Sequence, residues 1–277
     1  MEGEIASNRA LVTADGETSA LREFVLFGIK QARACVFAGS FFALLLISRH
    51  IPLGGLPRYD FLLIGALATQ AILLVFRIET WAEAAVLAVF HALGLGLELF
   101  KTHPSIGSWS YPEFAWTKIA GAPLYSGFMH AAVASYMCQA WRILRLRLTG
   151  YPPHVLSIAL SLLIYANFFT HHFIGDYRWW LTGAVIVLFA RTRVHFTVAE
   201  KERTMPLVMS FLLIGFFVWV AENFATFFGA WVYPNQQVAW ATVSTTKISS
   251  WALLVIVTFI IVADLKHVRE GDAAVRR

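Results

Sequence analysis

Two glutamates carry the side chains best placed for chemistry in this sequence. Glu98 and Glu222 each lie near the end of a long apolar run, and each is followed one helical turn later by a threonine, Thr102 or Thr226. A carboxylate near hydrocarbon is costly, so it usually faces protein or water and often marks a functional site. A hydrogen-bonded helix terminus is the alternative explanation. We predict that both glutamates are catalytic, together with Asp176 of the turn IGDYR.

Histidines supply the second kind of reactive group. His91 and His130 lie near the middle of two consecutive apolar runs, and His171 and His172 follow a later one. A single histidine within a membrane more often holds helices together than binds a ligand. Imidazoles combined with carboxylates are, however, the ligands of zinc, iron and copper sites without thiolates. We therefore predict a site for iron or another transition metal, with these four histidines as ligands.

Several neighbouring residues are predicted to support this site or to contact a substrate. Asn167 precedes His171 by one helical turn, and Asn223 follows Glu222, so both are expected to orient the site. Lys247 begins the last apolar run and is expected to neutralise a carboxylate or to contact a phosphate. The full supporting set is Asn167, Asn223, Arg178, Lys247, Trp109 and Trp231.

The surroundings of the two glutamates are repeated. Residues 98–112 read ELFKTHPSIGSWSYP, and residues 221–234 read AENFATFFGAWVYP. The identical pairs are Glu98/Glu222, Phe100/Phe224, Thr102/Thr226, Gly107/Gly229, Trp109/Trp231, Tyr111/Tyr233 and Pro112/Pro234. Such self-similarity indicates an internal duplication. Glycine permits a chain reversal, and tryptophan and tyrosine favour the headgroup boundary. Each copy is therefore expected to anchor a hairpin, to cover a lipid-accessible cavity, or both.

The histidines do not follow this repeat. His91 aligns near Gly215, and the region that matches His130 is the apolar run around Leu253. A purely structural duplication needs no such asymmetry, whereas a single active site on a pseudo-twofold axis does. We therefore predict that His130, His171 and Glu222 contribute more to activity than to folding.

The composition indicates a membrane protein. Of 277 residues, 58% are hydrophobic and 14% are charged, whereas soluble domains have roughly 25% charged residues. The two cysteines, Cys35 and Cys138, both lie within apolar runs, so neither a disulfide framework nor a thiolate metal site is predicted.

The predicted fold class is all-α, a polytopic membrane protein with about eight transmembrane helices in two parallel four-helix repeats. About 20 residues cross the hydrocarbon core, and the segments of suitable length are 31–48, 60–76, 82–100, 119–141, 154–174, 179–190, 206–225 and 245–264. An even number of spans per repeat gives both repeats the same orientation. The predicted divisions are a polar tail (1–22), the first repeat (23–147), the second repeat (148–266) and a basic tail (267–277).

The basic residues predict the orientation. The larger share of the 22 lysines and arginines falls in loops on the side of both termini, and such loops are cytoplasmic by the positive-inside rule. Both termini are therefore expected in the cytoplasm. This loop bias also accounts for the net charge of +5, so no nucleic-acid partner is predicted.

Three runs carry a resemblance to a known family. YPPHVLSIALSLLIYANFFTHHFIGDYRWWL, AENFATFFGAWVYPNQQVAW and KISSWALL resemble the DUF817 family of bacterial integral membrane proteins over nearly the whole chain after residue 20. The resemblance implies a multi-pass protein of the bacterial inner membrane and implies no activity. The loop from Glu98 to Tyr111 alone is also similar to that of polytopic carotenoid hydratases and cyclases.

Three classes of function remain open. The first is a membrane enzyme that oxidises a fatty acyl chain or a polyene with a metal, by hydroxylation, desaturation or oxygen insertion, and that uses a redox partner. The second is a metal-free hydratase or cyclase in which Glu98 and Glu222 move protons to a double bond of an isoprenoid. The third is a transporter of a small molecule, since transporters also use repeats and polar residues at the midplane. We prefer the first, with a membrane lipid or lipid-soluble substrate as the partner.

Overall fold

The structure is a computed structural model that describes the backbone of residues 20–275 and the side chains of residues 20–263. The predicted polar tail (1–22) lies almost wholly outside the described residues. The side chains of the predicted basic tail (267–277) lie outside them as well.

The described chain is mostly helical. Its α-helices are α1 (Ala20–Ala34), α2 (Val36–His50), α3 (Arg58–Val75), α4 (Trp81–Lys101), α5 (Ser126–Ile143), α6 (His154–Thr170), α7 (Arg178–Leu188), α8 (Leu207–Phe227) and α9 (Lys247–Val275). The strands are β1 (Lys118–Ile119), β2 (Ala122–Pro123), β3 (Arg147–Thr149), β4 (Arg193–Val198) and β5 (Lys201–Pro206). Prolines stand directly before α3, α6 and α8, and a reciprocal Thr80/Glu83 capping box opens α4.

In the part of the chain that the structure describes, three helices are long and apolar enough to cross a membrane: α3, α4 and α8. The helices α1 and α2 provide a fourth if the pair, which bends by 70° at its junction, forms one broken span. Three further apolar stretches are shorter, at His154–Thr170, Arg178–Leu188 and Lys247–Ala263. Residues 20–275 therefore form a mostly helical protein of membrane type with three to four candidate spans, whereas eight were expected.

Turn-forming residues explain where the predicted segments were too long. The segment predicted at 119–141 becomes helical only at Ser126, because residues 118–123 form the β1–β2 hairpin. Ala120 and Gly121 occupy positive φ angles of 47° and 92° in its turn. Alanine is uncommon in this region and glycine is suited to it. The segment predicted at 179–190 shrinks to α7, which has 11 residues.

A three-stranded antiparallel sheet, β3–β4–β5, corrects the all-α prediction. The hairpin β4–β5 turns at Ala199 (φ 51°) and pairs Val198 with Lys201. The charged residues of the sheet stay exposed, including the pair formed by Arg147 of β3 and Glu202 of β5 at 3.1 Å. The end of the molecule formed by β3–β5 is called the sheet end below.

The opposite end consists of the segments 102–125 and 228–246 and is called the loop end. Ser110 and Val232 form an antiparallel bridge there, with N–H···O distances of 2.9 Å in both directions. Arg58, which is 9% exposed, donates to the carbonyl oxygens of Phe228 (2.6 Å) and Gly229 (3.1 Å). The two copies of the repeated segment are thereby joined to each other and to the start of α3.

Small residues bring the helices of each half close together. A Cβ atom at Gly94 of α4 would lie 2.5 Å from the Cβ of His130 on α5, and one at Gly215 of α8 would lie 2.9 Å from the Cα of Ala252 on α9. Such close approach is typical of helix pairs in membranes. It sets the distance between each glutamate-bearing helix and the helix that follows it.

Candidate functional site

Glu98 lies buried at the loop end of α4, with 3% of its surface exposed. Its Oε2 accepts hydrogen bonds from the Trp109 indole N–H (2.7 Å) and the Tyr111 hydroxyl (2.8 Å). Its Oε1 lies 3.1 Å from Nε2 of His130. Three donors thus offset the cost of burying this carboxyl group. The carboxyl group and the imidazole form a pair that can share a proton.

Glu222 has the equivalent place at the end of α8 and is 2% exposed. The Tyr233 hydroxyl donates to its Oε1, and the Trp251 indole N–H donates to its Oε2 at 2.5 Å. In both halves, therefore, the tyrosine of the repeated segment donates to the glutamate of the same segment. The sequence repeat corresponds to a repeated hydrogen-bond pattern.

The two sites differ in their third partner. His130 of α5 contacts Glu98, and the residue that contacts Glu222 from α9 is Trp251. The alignment of His130 with the run around Leu253 was therefore displaced by two positions. An indole N–H is only a donor and does not titrate, whereas an imidazole can accept and release a proton. The Glu98 site thus has an imidazole partner where the Glu222 site has an indole.

Aromatic residues from both repeats close the space between the two glutamates and the loops. Trp109 and Tyr233 meet at 6.1 Å between ring centroids, and Tyr111 packs edge-on against Tyr125 at 5.9 Å. The Tyr125 hydroxyl donates to the carbonyl oxygen of Ala230. These rings are buried against one another, so they separate the glutamates from the solvent side of the loops.

A cavity of about 820 Å³ reaches from this aromatic layer toward the sheet end. Glu98, His130 and Glu222 line it at the loop end. Most of the remaining wall is apolar, and Phe27, Phe196 and other hydrophobic residues line its far end. Ligand pockets commonly have volumes of ~300–1,000 Å³ with mostly apolar walls and a few polar groups. The cavity has the size and polarity of a site for a lipid-soluble molecule.

Lys101, the last residue of α4, also lines this cavity and is 4% exposed. Its Nζ lies 2.8 Å from Nε2 of His172 and 3.5 Å from Nε2 of His171. The Nδ1 of His171 lies 2.8 Å from the carbonyl oxygen of Asn167 and donates to it. In neutral imidazoles, both Nε2 atoms then carry lone pairs that accept from the lysine. Sequence reasoning missed Lys101, whose only signal was a charge at the end of an apolar run.

The protonation of His172 reflects this lysine. Partial burial of the ring and the nearby charge of Lys101 lower the pKa of His172 to about 4. The same two effects lower the pKa of His171 below its usual value. Both rings are therefore neutral at pH 7.

Asp176 belongs to an ion pair in the turn that follows His172. Arg178 donates to it through Nε at 2.5 Å and through its backbone N–H at 3.0 Å, and Asn167 donates at 3.3 Å. Although burial alone would raise the pKa of Asp176, these hydrogen bonds lower it. Arg178 also donates to Ser250 of α9 at 3.1 Å. Asp176 is thus an ionised structural partner of Arg178 near the cavity.

The four predicted metal ligands do not converge. His130 contacts Glu98, His171 and His172 contact Lys101, and His91 packs on Phe128 with ring centroids 4.4 Å apart. Among the residues whose side chains are described, no group of three or more His, Cys, Asp or Glu is arranged to hold a metal ion. The residues therefore do not fit the predicted iron or other transition-metal site.

The remaining predicted residues have separate places. Asn223 donates to the carbonyl oxygen of Trp219 (2.8 Å) and accepts from the backbone N–H of Val243 (2.9 Å), so it holds the segment 228–246 and not Glu222. Trp231 is buried in the aromatic layer. The Nζ of Lys247 lies over the ring of Tyr233 at 4.8 Å.

Helices of membrane length around an apolar cavity with buried polar groups define a helical, membrane-associated protein. The chain belongs to the family described as "Protein of unknown function (DUF817)", whose model matches residues 23–259. It is 53% identical over 251 residues to "Uncharacterized protein YoaT" of Bacillus subtilis (strain 168), a match that covers 91% of this chain and 94% of the relative. No solved structure matches it.

Proposed function

We propose that this protein is an integral membrane enzyme that moves protons to or from a lipid-soluble substrate, an acyl chain or a polyene. The observation that carries the proposal is the Glu98–His130 pair, at 3.1 Å, on the wall of a cavity of about 820 Å³. Carboxylate–imidazole pairs are suited to general acid–base catalysis. The apolar wall favours a substrate that partitions from the bilayer.

The pair assigns a role to each residue. Trp109 and Tyr111 donate to Glu98 and hold its carboxyl group beside His130. His130, paired with that carboxyl group, donates a proton to a carbon–carbon double bond. The Glu98–His130 pair then takes back a proton, either from a neighbouring carbon, which shifts the double bond, or from a water molecule that adds to the cation, which hydrates it. Both outcomes balance without an oxidant.

Acid–base chemistry replaces metal-assisted oxidation as the preferred reaction type. An oxidation of that kind needs ligands that meet at one ion, and the four candidate histidines lie in three separate groups. Glu222 has no imidazole as its partner, since the indole of Trp251 takes that place. We assign Glu222 to shaping the second side of the cavity.

We further propose eight membrane crossings in two parallel repeats, 23–147 and 148–266, with both termini in the cytoplasm of a bacterial inner membrane. Support comes from the matching Glu98–Tyr111 and Glu222–Tyr233 hydrogen bonds. Reporters fused after Gly150 and after Asn235 are expected in opposite compartments. Reporters that agree would refute this topology.

The enzymatic proposal is tested by exchange with solvent deuterium. Membranes that contain the full-length protein are incubated in D₂O, and their lipids are analysed by mass spectrometry. We expect deuterium at carbon in one lipid class, and we expect Glu98→Gln to abolish it while keeping the shape of the side chain. The matched control is Glu202→Gln at the exposed sheet end.

Three results would decide against the proposal. Equal deuterium labelling in membranes without the protein would show that the protein does not catalyse the exchange. Labelling that persists in Glu98→Gln would show that the Glu98–His130 pair does not carry out the proton transfer. A folded protein that moves a lipid across the bilayer without labelling it would favour a transporter.

A further inference from the structure

Three cationic side chains line the loop end of the cavity: Lys101, Arg178 and Lys247. The charges of Lys247 and Arg178 repel that of Lys101, and the more weakly acting charge of Asp176 attracts it. Lys101 is almost fully buried, with 4% of its surface exposed. Burial of a charge is costly unless a partner of opposite charge is present. Lys101 is therefore expected to have a partner of opposite charge at this end of the cavity.

Carboxylates within the described part of the chain do not pair with the two lysines. No Asp or Glu oxygen there lies within 4 Å of Nζ of Lys101 or Lys247. Lys101 contacts two neutral imidazoles instead. Lys247 lies over the rings of Tyr233 (4.8 Å) and Trp109 (5.9 Å). Cation–π contacts of this kind hold an ammonium group without neutralising its charge.

The nearby acidic groups already have other partners. Asp176 pairs with Arg178. Glu98 and Glu222 accept hydrogen bonds from the aromatic layer and from the helices that follow them. A buried ammonium group, that of Lys101, and a half-buried one, that of Lys247, thus face one cavity without a carboxylate among their first contacts.

We propose that this end of the cavity binds the anionic head of a lipid, a carboxylate or a phosphate monoester, while the chain of the lipid occupies the apolar part. The inference names the substrate class of the proposed enzyme, and it rests on that proposal only for the statement that the bound lipid reacts. Lys101 and Lys247 contact the head. Charge-assisted hydrogen bonds from lysine to such oxygens are among the strong ones.

The length of the cavity fits a long chain. Its wall on α5 runs from His130 to beyond the helix end at Leu144, a distance of about 21 Å at 1.5 Å per residue. That is more than half of the ~30 Å hydrocarbon core of a bilayer. At the far end, Phe27, Phe196 and Met205 offer apolar contacts and no charge. A head held at Lys101 would direct its chain past His130.

The test is a binding measurement that needs no turnover. Full-length protein in a nonionic detergent is loaded with radiolabelled oleic acid, which is displaced by oleic acid, oleyl monophosphate, oleyl alcohol or inorganic phosphate. These probes separate the head from the chain. We expect the alcohol to bind about tenfold or more weakly than the better of the two anionic lipids, the loss that follows from one charge-assisted hydrogen bond. Which anion binds better identifies the head.

Variants localise the effect. Lys101→Gln and Lys247→Gln are each expected to weaken binding of the anionic lipid about tenfold and to leave binding of the alcohol unchanged. Lys201→Gln, an equal change of charge at the exposed sheet end, is the matched control and is expected to bind like wild type.

Several outcomes would overturn the proposal. The first is that the wild-type protein binds oleyl alcohol as tightly as oleic acid. The second is that folded lysine variants bind oleic acid as tightly as wild type. The third is that inorganic phosphate displaces oleic acid as well as the lipids do. If the variants fail to fold, the wild-type comparison of acid with alcohol decides the question. Tight, head-dependent binding without deuterium exchange would refute the proposed enzyme and leave this site standing.

Discussion

The packing of α4 against α5 makes a quantitative prediction at Gly94. A Cβ atom there would lie 2.5 Å from Cβ, Cγ and Cδ2 of His130. Carbon atoms pack best at about 3.5–4.0 Å, so a methyl group requires a shift of about 1 Å or more. The obstacle includes the Cβ of His130, which is fixed to the backbone of α5 and cannot rotate away. Gly94→Ala must therefore move the helix, or bend the histidine away from Glu98.

Gly96 offers a control on the same helix. A Cβ atom at Gly96 meets nothing within 4 Å. Both substitutions gain the same helix propensity, up to about 1 kcal/mol, so this gain cancels when the two variants are compared. Overpacking costs about 1–3 kcal/mol. We expect Gly94→Ala to be less stable than Gly96→Ala by about that amount.

Thermal unfolding of the purified protein in detergent measures this difference. A loss of 1 kcal/mol lowers Tm by ~2–4 °C in a protein of about this size. Gly94→Ala should melt below Gly96→Ala by at least that interval, and it should also lose activity at the Glu98–His130 pair. Equal melting temperatures would show that α4 and α5 are not packed as described, and the reasoning would fail.

Three further predictions concern the loop end. The pKa of His172 is about 4 in the folded protein and about 6.5 in an unfolded chain. The unfolded chain therefore binds a proton first, and the stability of the fold should decrease as the pH drops from 6.5 to 4. Melting curves of His172→Asn should show a smaller decrease in Tm over this range. Arg58 donates four hydrogen bonds; Arg58→Met should cost about 3 kcal/mol or more in denaturant unfolding, and a cost under about 1 kcal/mol would contradict that network. In a chain without its native cysteines, the double variant Ser110→Cys, Val232→Cys should form a disulfide on oxidation, because hydrogen-bonded antiparallel pairs have Cα atoms about 5.5 Å apart. If both thiols still react with a thiol reagent after oxidation, the bridge between these residues is wrong.

Features that depend on nearby residues could be predicted from the sequence. The repeated spacing of Glu, Trp and Tyr indicated a shared local structure, and in both halves the tyrosine donates to the glutamate 11 or 13 residues before it. Such contacts form within one helix end and the loop after it, so a short motif is sufficient to specify them. The tyrosines and tryptophans were expected only as anchors or as parts of a loop over a cavity.

Features that depend on packing between distant helices could not be predicted. Lys101 and His172 are 71 residues apart, and they meet only because the ends of α4 and α6 adjoin. Helices in lipid are apolar on every side, so they show no polar face that would reveal which side packs inward. For the same reason, the grouping of the histidines by depth suggested one metal site, whereas the helices place them in three groups.

The bridge between the two loops has a consequence for the order in which the protein matures during synthesis. Arg58 and Tyr125 are made early, yet their acceptors are the carbonyl oxygens of Phe228, Gly229 and Ala230. Until the segment 228–246 has been made, these two donors lack three of their acceptors. The loop end therefore closes only after the second half has been synthesised, and a chain that stops before residue 228 leaves it open.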